Sequence, residues 1–204
     1  MITVIGIGTE VGKTIISAIL VEALEADYWK PVQSGSDSQT DTETVQSLVT
    51  NLPTRIFHPE VYKLKAPLSP HAAAALEGIH IDTAKIILPA TKHPLVVELA
   101  GGLMVPLTHN FLNRHLIKQL GLPVVVVVNY YLGSINHTLL TLEVLDRYAI
   151  PVLGIIFNGE LVRASRDLII NYSGLPVLGE IPLYVDITPD VIKKEAKKID
   201  ISIL

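Results

Sequence analysis

Short apolar runs alternate along the chain with stretches whose apolar residues recur at helical spacing. The runs at 2–5, 28–31, 95–99, 124–129, 152–158 and 177–181 have strand length, and their Val and Ile content is typical of buried parallel strands. Helical patterns are predicted over 14–26, 112–120, 134–148 and 163–172. This alternation predicts an α/β fold with three α/β/α layers, in which right-handed crossovers connect the strands of a mostly parallel sheet.

The stretch from 32 to 93 is the least regular and is enriched in Ser, Asp, Thr, Pro and His. No linker, repeat or low-complexity segment interrupts the chain, so residues 1–204 are expected to form one domain. The charge-mixed stretch at 190–198 is expected to be a solvated helix. Because ligands in open α/β sheets bind beyond the carboxyl ends of the strands, the polar residues that follow each strand are the candidates for a site.

Composition excludes several classes of function. The formal net charge of -4 argues against a general nucleic-acid-binding protein, and the absence of Cys excludes disulfides and thiolate metal sites. No apolar run approaches the roughly 18 residues of a membrane-spanning helix, so no membrane association is expected. The chain opens directly in a predicted strand, without a signal-like segment, and a cytoplasmic location is therefore the expectation.

The first strand is followed by a stretch that ends like a phosphate-binding loop, GIGTEVGKT from Gly6 to Thr14. The step between its flanking glycines is one residue longer than in G-x-x-x-x-G-K-[ST]. Backbone N–H groups over 8–12 are expected to bind phosphate oxygens, Lys13 the β- and γ-phosphates, and the Thr14 hydroxyl Mg²⁺. The competing interpretation is a tight turn with a solvated lysine. The predicted nucleotide-binding residues in the loop are Gly8, Thr9, Glu10, Val11, Gly12, Lys13 and Thr14.

Three further strand ends carry polar residues. Lys30 and Ser34 follow the second strand, where the lysine is suited to neutralise a transferring phosphoryl group, although this stretch taken alone favours a surface lysine before a turn. Glu98 ends a buried run, and a buried carboxylate is costly unless it is paired or metal-bound, so a Mg²⁺ ligand is the better explanation. Asn158 offers a donor and an acceptor to a nucleobase, but it also fits a turn with Gly159.

Together these stretches resemble the dethiobiotin synthetases over nearly the whole chain, and the longer phosphate loop is itself typical of that family. The matching segments follow in order along the sequence. They are the loop at 6–14, KPVQSG at 30–35, TD at 40–41, SPH at 69–71, ELAGG at 98–102, LGSINH at 132–137, the isolated Asn158, and GEIP at 179–182.

The resemblance implies ATP- and Mg²⁺-dependent carboxylation and ring closure of 7,8-diaminopelargonic acid with CO₂. The reaction passes through a phosphorylated carbamate and gives dethiobiotin in biotin biosynthesis. It implies a homodimer with the substrate site at the interface. By resemblance, the catalytic residues are Lys13, Lys30 and Ser34; the metal ligands are Thr14, Asp41 and Glu98; the adenine contacts are Asn158 and Pro182; and the substrate contacts are Lys30, Ser34, Gly101, Leu132, Gly133 and Asn136.

One position departs from the family pattern. The family loop commonly carries an acidic residue near Mg²⁺ where this chain has Gly8, so the metal site is expected to rest on Asp41 and Glu98. His71 either lines the site or caps a helix. A cobyric-acid-type amidoligase would need a second domain. A partitioning ATPase would carry an additional lysine early in the loop, and loss of the site residues would indicate a non-catalytic domain.

Overall fold

A computed structural model describes residues 1–37, 39–50 and 55–204 of the chain. Its described strands, in chain order, are β1 (Ile2–Gly6), β2 (Asp27–Trp29), β3 (Val32–Gln33), β4 (Phe57–His58), β5 (Tyr62–Lys63), β6 (Leu95–Gly102), β7 (Pro106–Thr108), β8 (Phe111–Leu112), β9 (Val124–Asn129), β10 (Val152–Asn158) and β11 (Val177–Ile181). The described α-helices are α1 (Lys13–Leu24), α2 (Asp41–Leu48), α3 (Pro70–Leu76), α4 (Asn113–Leu120), α5 (Ser134–Arg147), α6 (Arg163–Ser173) and α7 (Pro189–Ala196).

A parallel sheet forms the centre of the molecule. Its strands follow the order β11-β10-β9-β1-β6-β2-β4, and each pairing between them is parallel. The valines 124–128 of β9 are fully buried, because helices cover both faces of the strand. Two smaller pairings lie outside this sheet: β3 runs parallel to β5, and β7 and β8 form an antiparallel hairpin.

Helices cover both faces of the sheet. The chain moves in one direction along the sheet from β1 through α1 to β2, and in the other from β6 through β9 and β10 to β11. Right-handed crossovers therefore place α1 on one face and α4, α5 and α6 on the other. The packing agrees, since α1 contacts α2 and α7, whereas α5 contacts α6. The predicted α/β fold with a mostly parallel sheet is thus confirmed.

The predicted bounds differ from the observed ones where the backbone changes partner. The strand predicted at 28–31 is Asp27–Trp29, and Pro31, which has no N–H to donate, lies beyond its end. The strand predicted at 95–99 continues to Gly102, because Gly102 still pairs with Gly6 of β1. The helix predicted at 14–26 is Lys13–Leu24 and stops at Glu25, whose φ of 51° is left-handed.

The irregular stretch from 32 to 93 contains more regular structure than its composition indicates. It supplies β4 at the edge of the main sheet, the helices α2 and α3, and the pair β3 and β5. These elements are two to eight residues long, which is too short for hydrophobic periodicity to reveal them. The helix expected at 190–198 is α7. Its expected solvation is wrong for one face, since Ile192, Glu195 and Ala196 are buried.

Candidate active site

The phosphate-binding loop connects β1 to α1 and contains two glycines that a larger residue could not replace without disturbing the loop. Gly12 begins α1 with a φ of 91°, a left-handed conformation that favours glycine. A Cβ on Gly6 would lie 2.5 Å from Val11 Cγ2, so the loop closes tightly on itself. Inside this loop the Lys13 ammonium donates a hydrogen bond to the Gly8 carbonyl at 3.0 Å. The lysine thus folds back over the loop.

Two carboxylates meet the first turn of α1. The Thr14 hydroxyl oxygen lies 2.6 Å from Asp41 Oδ1 and 3.1 Å from Glu98 Oε1, and its single proton is donated to one of them at a time. The Lys30 ammonium donates to Asp41 Oδ2 and, at 3.0 Å, to Glu98 Oε1. The Tyr28 hydroxyl donates to Glu98 Oε2 at 2.9 Å. Each of the four carboxylate oxygens therefore has a hydrogen-bond donor within reach.

The sheet and one helix cap place these groups together. In the parallel pairing of β2 with β6, Trp29 is aligned with Val97, so the next residues along, Lys30 and Glu98, come side by side. Asp41 is the first residue of α2, which begins at a capping box. The Thr40 side chain accepts from the Glu43 backbone, and the Glu43 side chain accepts from the Thr40 backbone. The start of α2 is fixed in this way, and with it the position of Asp41.

Burial and charge pull the lysine pKa values in different directions. Burial lowers the pKa of Lys30, but the charges of Glu98 and Asp41 raise it by more, so its net pKa is above the ordinary value. Burial also acts first on Lys13, and it leaves the pKa of that ammonium lowered despite the nearby charge of Glu98. Burial raises the pKa of Asp41, but the Lys30 charge together with hydrogen bonds from Lys30 and Thr14 lowers it by more, so the net pKa is below the ordinary value. Lys30 is 5% exposed, so its interpretation as a surface lysine is wrong.

The oxygen donors of this cluster fit Mg²⁺. One hydroxyl and two carboxylates, from Thr14, Asp41 and Glu98, converge on one region, and a cationic ammonium already lies between the carboxylates. Mg²⁺ is typically bound by one or two carboxylates together with substrate phosphates and water. Across residues 1–37, 39–50 and 55–204, no group of three or more His, Cys, Asp or Glu side chains is arranged to hold a metal. A nucleotide would therefore have to complete the coordination.

A cavity of about 720 Å³ opens above this cluster. It brings together most of the predicted site residues from the loop, from the ends of β2 and β6, and from α2. Within the described part of the chain, the Ser34 hydroxyl in its wall is buried without a hydrogen-bond partner, so it can bond a ligand or a water molecule in the cavity. The predicted residues that line this cavity are Thr9, Glu10, Gly12, Lys13, Thr14, Lys30, Ser34, Asp41, Glu98 and Gly101.

Comparison with known proteins identifies the family. The chain is 48% identical over 178 residues to the ATP-dependent dethiobiotin synthetase of Paramagnetospirillum magneticum, covering 87% of this chain and 85% of that protein. It is 46% identical over 194 residues to the ATP-dependent dethiobiotin synthetase of Cytophaga hutchinsonii, covering 95% and 93%. The chain belongs to the dethiobiotin synthetase family. Membership makes it an enzyme of the ligase class, as predicted.

Broader comparisons agree on the fold of this dethiobiotin synthetase family member. A family model described as an AAA domain matches residues 1–191. A ParA family ATPase from Chlorobium tepidum superposes with a TM-score of 0.55 at 13% identity, covering 97% of this chain and 89% of that one. A plasmid partition protein from Borrelia burgdorferi, bound to AMPPNP, gives a TM-score of 0.57 at 12% identity, covering 97% and 94%. These likenesses confirm the predicted P-loop NTPase fold.

Two predicted adenine contacts lie beside the main cavity of the synthetase. The Asn158 side chain donates to the Val11 carbonyl at 3.0 Å, so it braces the phosphate loop in this structure. Pro182 lines a second cavity of about 590 Å³, whose wall includes Tyr130 and Phe157. The rings of Tyr130 and Phe157 are stacked with their centroids 5.4 Å apart. This second cavity is apolar enough to take a flat ring, and it lies at the ends of β10 and β11.

The remaining predicted substrate contacts do not line the main cavity. Leu132 is fully exposed, Gly133 is the N-cap of α5, and Asn136 is exposed in the first turn of that helix. Gly8 accepts the hydrogen bond from Lys13, and a Cβ on Gly8 would lie 3.9 Å from the Tyr131 hydroxyl.

No helix in the described part of the chain has both the length and the apolar content needed to cross a bilayer.

Sequence reasoning missed several residues of the dethiobiotin synthetase cavity. Tyr28 lies inside β2, and its hydroxyl donates a hydrogen bond to Glu98. Ser69, in the segment after β5, and Val105, in the segment after β6, line the cavity. A buried tyrosine in a short strand gives no sequence signal of its partner. Ser69 lies in the SPH match at 69–71, which the resemblance singled out without giving the serine a role.

Proposed function

We propose that the chain, as a single domain over residues 1–204, converts 7,8-diaminopelargonic acid, CO₂ and ATP to dethiobiotin in the cytoplasm. The observation that carries this proposal is the buried Lys30 ammonium, held between Asp41 and Glu98 beside a phosphate-binding loop. It provides a fixed positive charge where an anionic carbamate and a transferring phosphoryl group have to meet. Such preorganised charge is the main requirement of phosphoryl transfer.

The chemistry proceeds in three steps. One substrate amine adds to CO₂ and forms a carbamate, and the carbamate oxygen then accepts the γ-phosphoryl group of ATP. The second amine attacks the carbonyl carbon, the carbon–oxygen bond to phosphate breaks, and the ureido ring closes. Lys13 and Lys30 stabilise the negative charge in these steps, and the unpartnered Ser34 hydroxyl binds the diamine or the carbamate.

ATP is placed by the loop and by the second cavity. The backbone from Gly8 to Thr14 binds the phosphates at the start of α1, and the adenine lies near Asn158 and Pro182. Mg²⁺ would be held by Thr14, Asp41 and Glu98, and when bound it would neutralise charge on the nucleotide phosphates. With Gly8 in place of an acidic residue, the two carboxylates supply the negative charge at this site.

A homodimer completes the substrate site in this proposal. Leu132, Gly133 and Asn136 lie outside the cavity of their own chain, and Leu132 is fully exposed. We infer that this segment reaches the cavity of a second copy, where the backbone N–H groups at the start of α5 bind the substrate carboxylate. The exposed leucine would then be covered in the assembly.

The purified protein should release phosphate from ATP and Mg²⁺ with bicarbonate only when the diamine is present, with dethiobiotin detected by mass spectrometry. Lys30→Met should lower kcat by about 10²–10³-fold, since it removes charge that stabilises the transition state. Lys85→Met is the matched control, because the Lys85 side chain is exposed and pairs only with Asp82 at 3.9 Å. Diamine-independent ATP turnover would contradict the proposal and favour a nucleotide-dependent switch.

A further inference from the structure

Ser69 occupies the N-cap position before α3, but its side chain does not cap the helix. Its backbone carbonyl accepts from the amides of Ala72 and Ala73, yet its side chain makes no capping hydrogen bond. The side chain of a serine at this position ordinarily accepts from the second or third amide of the helix, here His71 or Ala72. Here the hydroxyl lies 3.0 Å from His71 Nδ1 instead. The hydroxyl is therefore directed to an imidazole at the cost of a helix cap.

This serine also belongs to the wall of the main cavity, together with Lys30 and Ser34. His71 does not line the cavity, and its side chain is only half-buried. The ring of His109 packs edge-on against it, with centroids 5.8 Å apart. The pair thus connects the cavity wall to a ring that water can reach.

We propose that Ser69 and His71 form a relay that removes a proton from the substrate amine during ring closure. The inference rests on the proposed function, because that reaction requires an amine nitrogen to lose a proton as it attacks a carbonyl carbon. Apart from the exposed carboxylate of Glu10, the ionisable groups that line the cavity are already engaged in the cluster beside the phosphate loop. Lys13 and Lys30 are cationic, and Asp41 and Glu98 are held by Lys30.

The step balances in atoms and charge. The amine nitrogen attacks the carbonyl carbon of the phosphorylated carbamate, the nitrogen–carbon bond forms, and the carbon–oxygen bond to phosphate breaks with its electron pair on phosphate. The proton lost by nitrogen passes to Ser69 Oγ, while the proton of the serine passes to His71 Nδ1. The resulting imidazolium then returns a proton to water.

The relay predicts a pH dependence. An imidazole accepts a proton only when it is neutral. The titratable group packed against His71 is His109 from the turn between β7 and β8. On α3's own side, the Glu77 carboxylate accepts from the backbone amides of Lys65 and Ala66 at 2.7 and 3.2 Å. The wild-type kcat should therefore fall toward acid pH, where an imidazole is protonated.

The test is steady-state dethiobiotin formation across pH for wild type, Ser69→Ala and His71→Asn. Asparagine keeps an acceptor near the position of Nδ1 but does not take up a proton in this range. Both variants should lose about 10²–10⁴-fold in kcat with little change in KM, and both should lose the acid limb. Ser69→Thr, which keeps the hydroxyl, should restore activity, and His109→Asn should behave as wild type.

Other outcomes separate the relay from the proposed function. Wild-type protein that makes no dethiobiotin contradicts the function itself. Wild-type activity with an unchanged kcat in His71→Asn overturns only the relay, and so does a loss of kcat that leaves the acid limb in place. A wild-type kcat without an acid limb also overturns it, and that measurement does not depend on any variant folding.

Discussion

Lys30 is a cation at a position that water hardly reaches. A buried ammonium is expensive to keep charged unless it is paired and hydrogen-bonded, and here Asp41 and Glu98 provide both. The two carboxylates raise its pKa above the ordinary value in spite of burial. Its charge is therefore permanent at physiological pH. This is what a reaction between two anionic groups requires of a neighbouring side chain.

A second buried charge lies at the opposite end of the same strand. Asp27 begins β2 and is fully buried. One of its oxygens accepts from the Ile56 amide at 2.9 Å and lies 3.1 Å from His93 Nδ1, and the other accepts from the Thr91 hydroxyl. His58 Nε2 is 3.7 Å away. Asp27 thus joins β2 to β4 and to the segment that precedes β6.

Asp27→Asn should reduce stability in a pH-dependent way. Burial raises the pKa of Asp27, but the hydrogen bonds from Thr91, Ile56 and His93 lower it by more, to below the ordinary value of 3.8. The stabilisation is therefore complete above about pH 4 and is lost as pH falls through the lowered pKa of the folded state. We expect the variant to lose about 1.5–3 kcal/mol of unfolding free energy at neutral pH.

Denaturant titrations of wild type and Asp27→Asn, from neutral pH down to about pH 3, measure this difference. The two stabilities should converge at the acid end. The exposed Asp186→Asn is the control and should stay within about 0.5 kcal/mol of wild type. A constant gap between wild type and Asp27→Asn at all pH values would contradict the assignment.

At the scale of elements, α2 links local sequence to the site. Its capping box between Thr40 and Glu43 fixes where the helix begins, and the first helical residue, Asp41, contacts Thr14 and Lys30. The helix has only eight residues and lies in the stretch that looks irregular in sequence. A local capping interaction therefore positions Asp41, which contacts residues of α1 and of the segment after β2.

Thr40→Ala should cost about 1 kcal/mol of stability and also lower kcat/KM by about tenfold, because Asp41 loses its fixed position. Thr188→Ala is the matched control. Thr188 caps α7 by accepting from the Val191 amide, so its loss should cost similar stability, while kcat/KM stays unchanged. Thermal unfolding and steady-state kinetics measure the two effects. Equal kinetics in both variants would show that the α2 cap does not position Asp41.

At the scale of the whole molecule, exposed apolar side chains are concentrated between residues 131 and 172. They belong to the loop before α5, to α5 and α6, which pack against each other, and to the segment between β10 and α6. We expect this set to form part of the interface of the proposed homodimer. The members of this set are Tyr131, Leu132, Leu140, Leu161, Val162, Leu168 and Tyr172.

We expect the protein to sediment as a dimer and Leu132→Asp to shift it toward the monomer, with loss of dethiobiotin formation. Placing a carboxylate in an apolar interface removes contacts and adds a desolvation cost. Ile87→Asp is the control, because Ile87 is likewise exposed, at 70%, but lies outside this set. Analytical ultracentrifugation with parallel activity assays decides the matter. A Leu132→Asp variant that stays dimeric and active would contradict the interface.

The alternation of strands and helices follows from local sequence, because Val- and Ile-rich runs and helical spacing are local properties. The strands at 124–129, 152–158 and 177–181 have their predicted bounds for that reason. Lys13 and Thr14 are recognisable as site candidates because they end a glycine-rich loop that follows a strand. Glu98 is recognisable because a carboxylate in a buried run is costly unless it is paired or metal-bound.

Lys30, by contrast, has surroundings that the tertiary structure alone brings together. Its sequence context fits a surface lysine, and its burial between two carboxylates follows from the register of β2 against β6 and from the cap of α2. The bond between Ser69 and His71 is likewise a matter of side-chain direction at one helix start. Pairings between distant segments depend on how the whole sheet closes, and no local pattern carries that information.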